Sequence, residues 1–218
     1  MAGNKSEENR LQQIHKQWQN GDTTYNWLVN GMLESITNPD GKKVHFEYDA
    51  LGRRTAKIAN EKINRYVWDG NVLIHEWKYD LNERPKLIID DDDFVHDKPE
   101  PVENLITWVY EGGSFVPSAK MFSIINDYIG RPVQAYSETG KLVWETDYNI
   151  YGDLLNLKGN RSFVPFRQLG QYEDIETGLY YNRFRYYSNE IGRYISQDSI
   201  GLHGNNLNFY AYVHKSNC

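Results

Sequence analysis

Beyond its first twenty residues the chain alternates hydrophobic and polar positions with a period of two. Val44, Phe46 and Tyr48 interleave with Lys43, His45 and Glu47; Leu73, His75, Trp77 and Tyr79 interleave with Val72, Ile74, Glu76 and Lys78. Shorter runs follow at Leu105–Tyr110, Met121–Ile125, Val133–Tyr136 and Leu142–Tyr148, each bounded by Gly, Asn, Asp or Pro. Side chains of a strand point alternately to its two faces, so this pattern predicts half-buried strands joined by turns. The exception is Ser6–Trp18. There Leu11, Ile14 and Trp18 fall on one helical face behind a capping serine, and Glu7 and Glu8 suit the positive end of a helix dipole. A short N-terminal helix is expected, ended at Asn20-Gly21.

The turns carry more information than the strands. Tyr48-Asp49-Ala50-Leu51-Gly52-Arg53 sets an aromatic, an acid and a glycine at fixed offsets. Asn126 to Arg131 repeats the tail of that pattern, and Tyr148 to Asp153 repeats it with Asn149 for the acid. Trp27–Gly31 and Trp68-Asp69-Gly70 are looser versions. An Asp or Asn side chain can accept from backbone two residues on, while glycine takes the positive-φ position. Several copies in a short chain indicate a repeat architecture, and their uneven spacing favours a wrapping strip of hairpins over identical coils.

Composition adds limits. The 218 residues predict one domain or two small ones. With 17 Tyr, 6 Trp and 8 Phe against 3 Met, rings must supply much of the buried area, which suits sheet better than a helix bundle. A net charge of −6 without a basic run argues against a nucleic-acid partner. One cysteine, Cys218, excludes an intramolecular disulfide or a cysteine-built metal site. No apolar run approaches the ~18 residues of a membrane-spanning helix, and the polar N-terminus does not read as a signal peptide. Asp90-Asp91-Asp92-Asp93, within a polar stretch from about Asn82 to Asn104, lacks the alternating ligands, glycine and final glutamate of a calcium loop. It reads as a flexible, solvated insertion between two strands. The histidines at 15, 45, 75, 96, 203 and 214 show no metal-ligand spacing, and neither Gly112-Gly113 nor Gly201–Gly204 is a phosphate loop. No cofactor and no metal are expected.

The last third of the chain is distinctive. Arg185 to Leu202, followed by Asn208 to Val213, closely resembles the Rhs repeat-associated core, the C-terminal signature of Rhs/YD-repeat proteins. Phe46–Arg54 and Trp108–Lys120 resemble other stretches of the same family, so the resemblance spans roughly Tyr25 to Val213. It implies a mostly β chain of irregular YD/Rhs hairpin repeats forming a curved β-sheet strip, part of a hollow shell around a C-terminal toxin. The implied organisation is an N-terminal segment over 1–20, a repeat region over 21–165 with the acidic insertion at about 82–104, and a truncated core over 166–218. The implied context is a bacterial polymorphic toxin, exported as a secretion-system effector by a type VI or related route and cytoplasmic before export.

In much of the family the core acts as an intramolecular aspartyl protease. On this chain the first catalytic aspartate, of the motif DPIG, falls on Asp198, and the functional arginine, of RYYD, falls on Arg185. The second aspartate of the dyad would fall a few residues past Cys218. Ser188, Ser199 and Lys215-Ser216-Asn217 depart from the family pattern. The primary expectation is thus a structural shell fragment without self-cleavage. One alternative is a remnant of the autoprotease, its second acid drawn from Asp153, Asp174 or a partner chain. Another is a carbohydrate- or partner-binding module, which needs an exposed aromatic row. The implied partners are the rest of an Rhs shell or toxin polypeptide, with self-association through open sheet edges.

Overall fold

In a computed structural model, which describes residues 21–90, 93–110, 117–119, 122–196 and 210, the alternating runs become antiparallel strands. The expected N-terminal helix and Asp198 both lie outside the described residues. Strands β1 (Thr24–Trp27), β2 (Leu33–Thr37), β3 (Lys43–Tyr48), β4 (Arg54–Ala59), β5 (Lys62–Asp69) and β6 (Val72–Asp80) pair in sequence order. After β7 (Leu87–Asp90) and β8 (Asp93–His96), which pair only with each other, β9 (Ile106–Thr107) returns to β6 and completes a seven-stranded sheet. The chain changes sheets at Trp108. Strands β10 (Val109–Tyr110), β11 (Pro117–Ala119), β12 (Ser123–Asn126), β13 (Pro132–Tyr136), β14 (Leu142–Tyr148) and β15 (Leu154–Lys158) form a six-stranded meander. A four-stranded sheet follows: β16 (Tyr172–Asp174), β17 (Leu179–Asn182), β18 (Arg185–Ser188) and β19 (Arg193–Tyr194). The mostly β expectation holds, with the strip divided into separate sheets. Among the described residues no helix is long and apolar enough to cross a membrane.

The repeated turns are near-copies in atomic detail. Asp49 N–H donates to Arg53 O at 2.9 Å, Gly52 N–H returns to Asp49 O at 2.9 Å, and Asp49 Oδ1 accepts from the amides of Leu51 and Arg53. Asp127–Arg131 and Asn149–Asp153 repeat this scheme bond for bond. In the two aspartate copies the following arginine closes back on the acid at 2.7 Å. Glycine is required by φ = +79° at Gly52, where a Cβ would also lie 2.7 Å from Met32 Cε. The tyrosine before the acid ties successive hairpins: Tyr48 Oη donates to Leu33 O at 2.7 Å and Tyr148 Oη to Pro132 O at 2.6 Å. In the copy that has Asn126 instead, its amide donates to Pro117 O. The same backbone ring also closes at Asn38–Lys42 and Ser137–Lys141, two copies that the aromatic-acid-glycine pattern missed. By contrast Trp68-Asp69-Gly70 belongs to a two-residue hairpin in which Asp69 pairs directly with Val72.

The alternation decides what each face does. One face of the seven-stranded sheet, carrying Ile36, Val44, Phe46 and Tyr66, packs with Trp144 and Leu154 of the six-stranded sheet around Phe166, Tyr172, Leu179, Tyr181 and Tyr186. The C-terminal segment thus fills the space between the two larger sheets. The opposite face of the first sheet holds a smaller cluster of Ala56, Ile63 and Tyr79, with Ile58, Trp77 and Leu81 against it.

Over that opposite face runs the acidic insertion. It does lie between two paired strands, β6 and β9, yet it is not a plain loop. Arg84 makes a two-pronged contact with Glu47 at 2.6 and 2.8 Å, and Glu100 accepts from Tyr79 Oη at 2.6 Å while pairing with Arg65. Between these feet the chain forms the β7–β8 hairpin. Four consecutive acids mask the strand pattern, because Asp90 and Asp93 are themselves a strand pair.

Candidate functional site

The doubled tyrosines of the tail put one ring on each face of the small sheet. Tyr172, Tyr181 and Tyr186 form one cross-strand row, and Tyr180, Tyr187 and Tyr194 the other. The second row meets the YD turn of the six-stranded sheet: Tyr180 Oη donates to Gly152 O at 3.1 Å and Tyr187 Oη to Tyr151 O at 3.2 Å. The first row faces the seven-stranded sheet and encloses a charged group.

That group is Arg54, at the start of β4, 1% exposed. Its guanidinium carbon lies 4.5 Å from the ring centroid of Tyr181, 4.7 Å from Tyr66 and 5.4 Å from Tyr172, with Phe46 and Tyr186 slightly farther. Arg54 Nη1 donates to Asp174 Oδ2, and Lys57 Nζ bridges Asp174 Oδ1 at 3.1 Å and Glu176 at 2.6 Å. Desolvation of an ion costs several kcal/mol, so two buried cations need both the shared carboxylate and the ring faces to offset it. Burial works against the charged form of Lys57, but Asp174, Tyr66 and Glu176 together outweigh it, and the ammonium pKa is raised. Burial pushes the Tyr66 hydroxyl up to about 12. The hydroxyls of Tyr172 and Tyr186 are displaced in the same direction, also chiefly by burial.

Two further polar ties complete the junction. Glu76 of β6 accepts from Trp108 Nε1 at 2.9 Å and from Tyr172 Oη at 2.5 Å. Arg167 donates to Glu173, while Arg161 joins Glu173 to Asp153 at 2.7 and 2.6 Å. The chemistry of this arrangement is clamping: each carboxylate is closed on cations or hydroxyl and indole donors. Both acids named as sources for a catalytic dyad are committed in this way, Asp174 to Arg54 and Lys57, and Asp153 to Arg161. A dyad needs two carboxylates sharing a proton, which such cationic neighbours oppose. Among the described residues no group of three or more His, Cys, Asp or Glu could hold a metal ion.

Arg185 sits on the other face of β18. Its guanidinium carbon lies 3.7 Å from the Tyr194 ring centroid, and Tyr194 Oη accepts from Asn182 Nδ2. The guanidinium thus makes a cation–π contact with Tyr194. It lines a surface cleft with Trp27, Met32, Leu51, Phe184, Ile195 and other residues of the adjoining turns. The structure does not place Asp198 against it, since that residue is outside the described set.

Sequence reasoning reached Asp174 only as a spare acid and missed its union with Arg54 and Lys57. A signal existed: on β3 and β4, Phe46 pairs with Lys57 and Tyr48 with Arg54, so both cations share the face of the aromatic positions. A charge on the apolar face of a strand calls for a buried counter-charge.

The geometry has counterparts. The RHS Repeat profile matches residues 27–61, and the Teneurin YD-shell profile matches residues 113–217. The chain belongs to the Rhs/YD-repeat family. Over 212 residues it is 31% identical to the Double-stranded DNA deaminase toxin A of Burkholderia cenocepacia, covering 88% of this chain and 14% of that protein. It is 34% identical over 198 residues to Toxin protein Tse5 of Pseudomonas aeruginosa, covering 80% of this chain and 15% of the relative. Among solved structures, the fold is shared with the Photorhabdus luminescens Tc holotoxin pore at a TM-score of 0.62 and 21% identity, over 90% of this chain and 10% of that one. TcdB2-TccC3 without its hypervariable C-terminal region gives a TM-score of 0.62 at 22% identity, over 88% and 10% of the two chains. The Rhs chain described here therefore spans about one-seventh of the length of the toxin relatives.

Proposed function

We propose that this chain is a wall segment of an Rhs-type shell, with a structural role in enclosing a C-terminal toxin. The observation that carries it is the Arg54–Asp174 clamp, which welds the tyrosine-rich C-terminal sheet onto the first sheet of the YD strip. The partners are the remaining shell and toxin portions of the same kind of polypeptide, and the setting is that of an exported effector. A chimera tests this: residues 21–196 replace the matching stretch of Tse5. A protease-resistant chimera that still protects its C-terminal portion supports the proposal, and the same chimera with Asp174→Ala should lose that protection. A chimera whose C-terminal portion is digested, although this segment keeps its own fold, overturns it.

A second reading places Arg185 and Asp198 in a core element of residues 166–218 with an aspartyl autoprotease ancestry. What supports it is the position of Arg185 on the wall of a cleft that Ser196 and Tyr210 also line. Intact mass before and after prolonged incubation discriminates the two readings. The shell role expects one undivided mass; a defined fragment absent from Asp198→Asn supports the protease.

A further inference from the structure

The insertion carries a feature that the packing of the described sheets does not use. In the β7–β8 ribbon Leu87 pairs with His96 and Ile89 with Phe94, so Leu87, Ile89 and Phe94 share one face. They are 60%, 69% and 73% exposed, and the other face shows Ile88 and Val95. A two-stranded ribbon alone is marginally stable in water. This one is held at its base: Lys86 N–H donates to Asp97 Oδ1 at 2.8 Å and Asp97 N–H to Lys86 O at 3.0 Å. Arg84, Tyr79 and Glu100 fix its two feet to the first sheet. The result is an apolar blade presented from an anchored base, on the side of the sheet away from the C-terminal segment.

Charge says what can cover it. Residues 88–103 hold seven acids and one lysine, which accounts for the whole net charge of −6; the other 202 residues carry 23 acids and 23 bases. The blade and its C-terminal flank are therefore the strongly acidic sector of a sequence whose remainder sums to zero. Nucleic acid and anionic lipid are repelled by it, and a second copy would bring like charges together. A simple polycation would meet the acids but leave Ile89 and Phe94 wet.

We propose that the β7–β8 hairpin is a docking element for a protein partner that offers an apolar strand or groove bordered by lysine and arginine. Steering comes from Asp90, Asp93 and Asp97, and the buried anchor is Phe94 with Ile89 and Leu87. The face they occupy leaves the partner outside the space filled by the C-terminal sheet.

The test uses the full chain and two fluorescein-labelled synthetic peptides of equal charge, one alternating Leu and Lys, the other Ser and Lys. Fluorescence anisotropy should show the Leu–Lys peptide binding about tenfold or more tighter than the Ser–Lys peptide, a difference near 1.4 kcal/mol. Ile89→Ser with Phe94→Ser should erase that difference, whereas Leu51→Ser, at an exposed apolar position elsewhere, should not. Asp90→Asn with Asp93→Asn should weaken both peptides and flatten their salt dependence. Equal binding of the two peptides, or a preference that survives the Ile89/Phe94 variant with unchanged circular dichroism, overturns the proposal. So does hairpin-dependent self-association in sedimentation velocity, which would make a second copy the occupant.

Discussion

Asp174 and Arg54 are closed on each other at 0% and 1% exposure, whereas Asp90 and Asp93 face each other across an open ribbon as like charges. The first arrangement joins residues 120 positions apart and fixes one sheet on another. The second joins no distant elements. The difference is the solvent. Water screens the Asp90–Asp93 repulsion to a tolerable size, while at the junction every ion must find its partner inside the protein. Identical residue types therefore determine the architecture in one place and stay solvated at the surface in the other.

The sharpest way to break this contrast is to remove one carboxylate from each region. Asp174→Ala leaves Arg54 buried without its counter-ion and should cost about 3–5 kcal/mol in urea unfolding. Asp93→Ala should change stability by no more than about 0.5 kcal/mol, because it touches only solvent and a like charge. Equal effects would contradict the assignment of the two regions. Pairing Asp174→Leu with Arg54→Met should recover much of the loss, since Lys57 keeps Glu176 at 2.6 Å.

Alkaline titration separates the regions next. A Tyr66 hydroxyl near 12 in the fold against about 10 in an unfolded chain means that the unfolded state releases its proton first. The stability it contributes is full below pH 10 and is lost as pH rises from 10 through 12. Tyr172 and Tyr186 act in the same direction. Tyrosinate absorbance from this set should appear together with loss of the β-sheet circular dichroism, not ahead of it. Free titration of all 17 tyrosines near pH 10 with the fold intact would refute the buried cage.

Smaller effects belong to the repeat turns and the blade. Gly52→Ala should cost about 1–2 kcal/mol, from the left-handed backbone at φ = +79° and the approach of Met32 and Phe184. Arg131→Ala, which opens a partly exposed ion pair at 2.7 Å, should cost about 1 kcal/mol or less, read from thermal unfolding at low and high salt. Least of all, Phe94→Ser should leave stability nearly unchanged while altering peptide binding.

Much of this fold was legible because its signals are local. Alternation over Lys43–Tyr48 and Val72–Tyr79 names β3 and β6, and the side chains of Asp49, Asp127 and Asn149 reach only their own turn. The turns at Asn38 and Ser137 close the same backbone ring with one element of the pattern changed: Asn38 follows Thr37 rather than an aromatic, and Ser137 follows Tyr136 but stands where the other copies have Asp or Asn. The β7–β8 hairpin was hidden because acids occupy strand positions there, against ordinary strand preference. The site was harder to read: Arg54, Lys57, Glu76 and Asp174 come from three strands and become one network only when the small sheet docks.

By itself, the sequence determined period-two strands, turns of fixed chemistry, an excess of rings and one acidic stretch. These follow from backbone geometry and from residues within a few positions of one another. Tertiary structure alone decided which tyrosine of each pair faces Arg54, which acids are buried, and on which side of the sheet the acidic blade stands. Those outcomes depend on which faces of distant strands meet, and on the cost of leaving any charge between them unpaired.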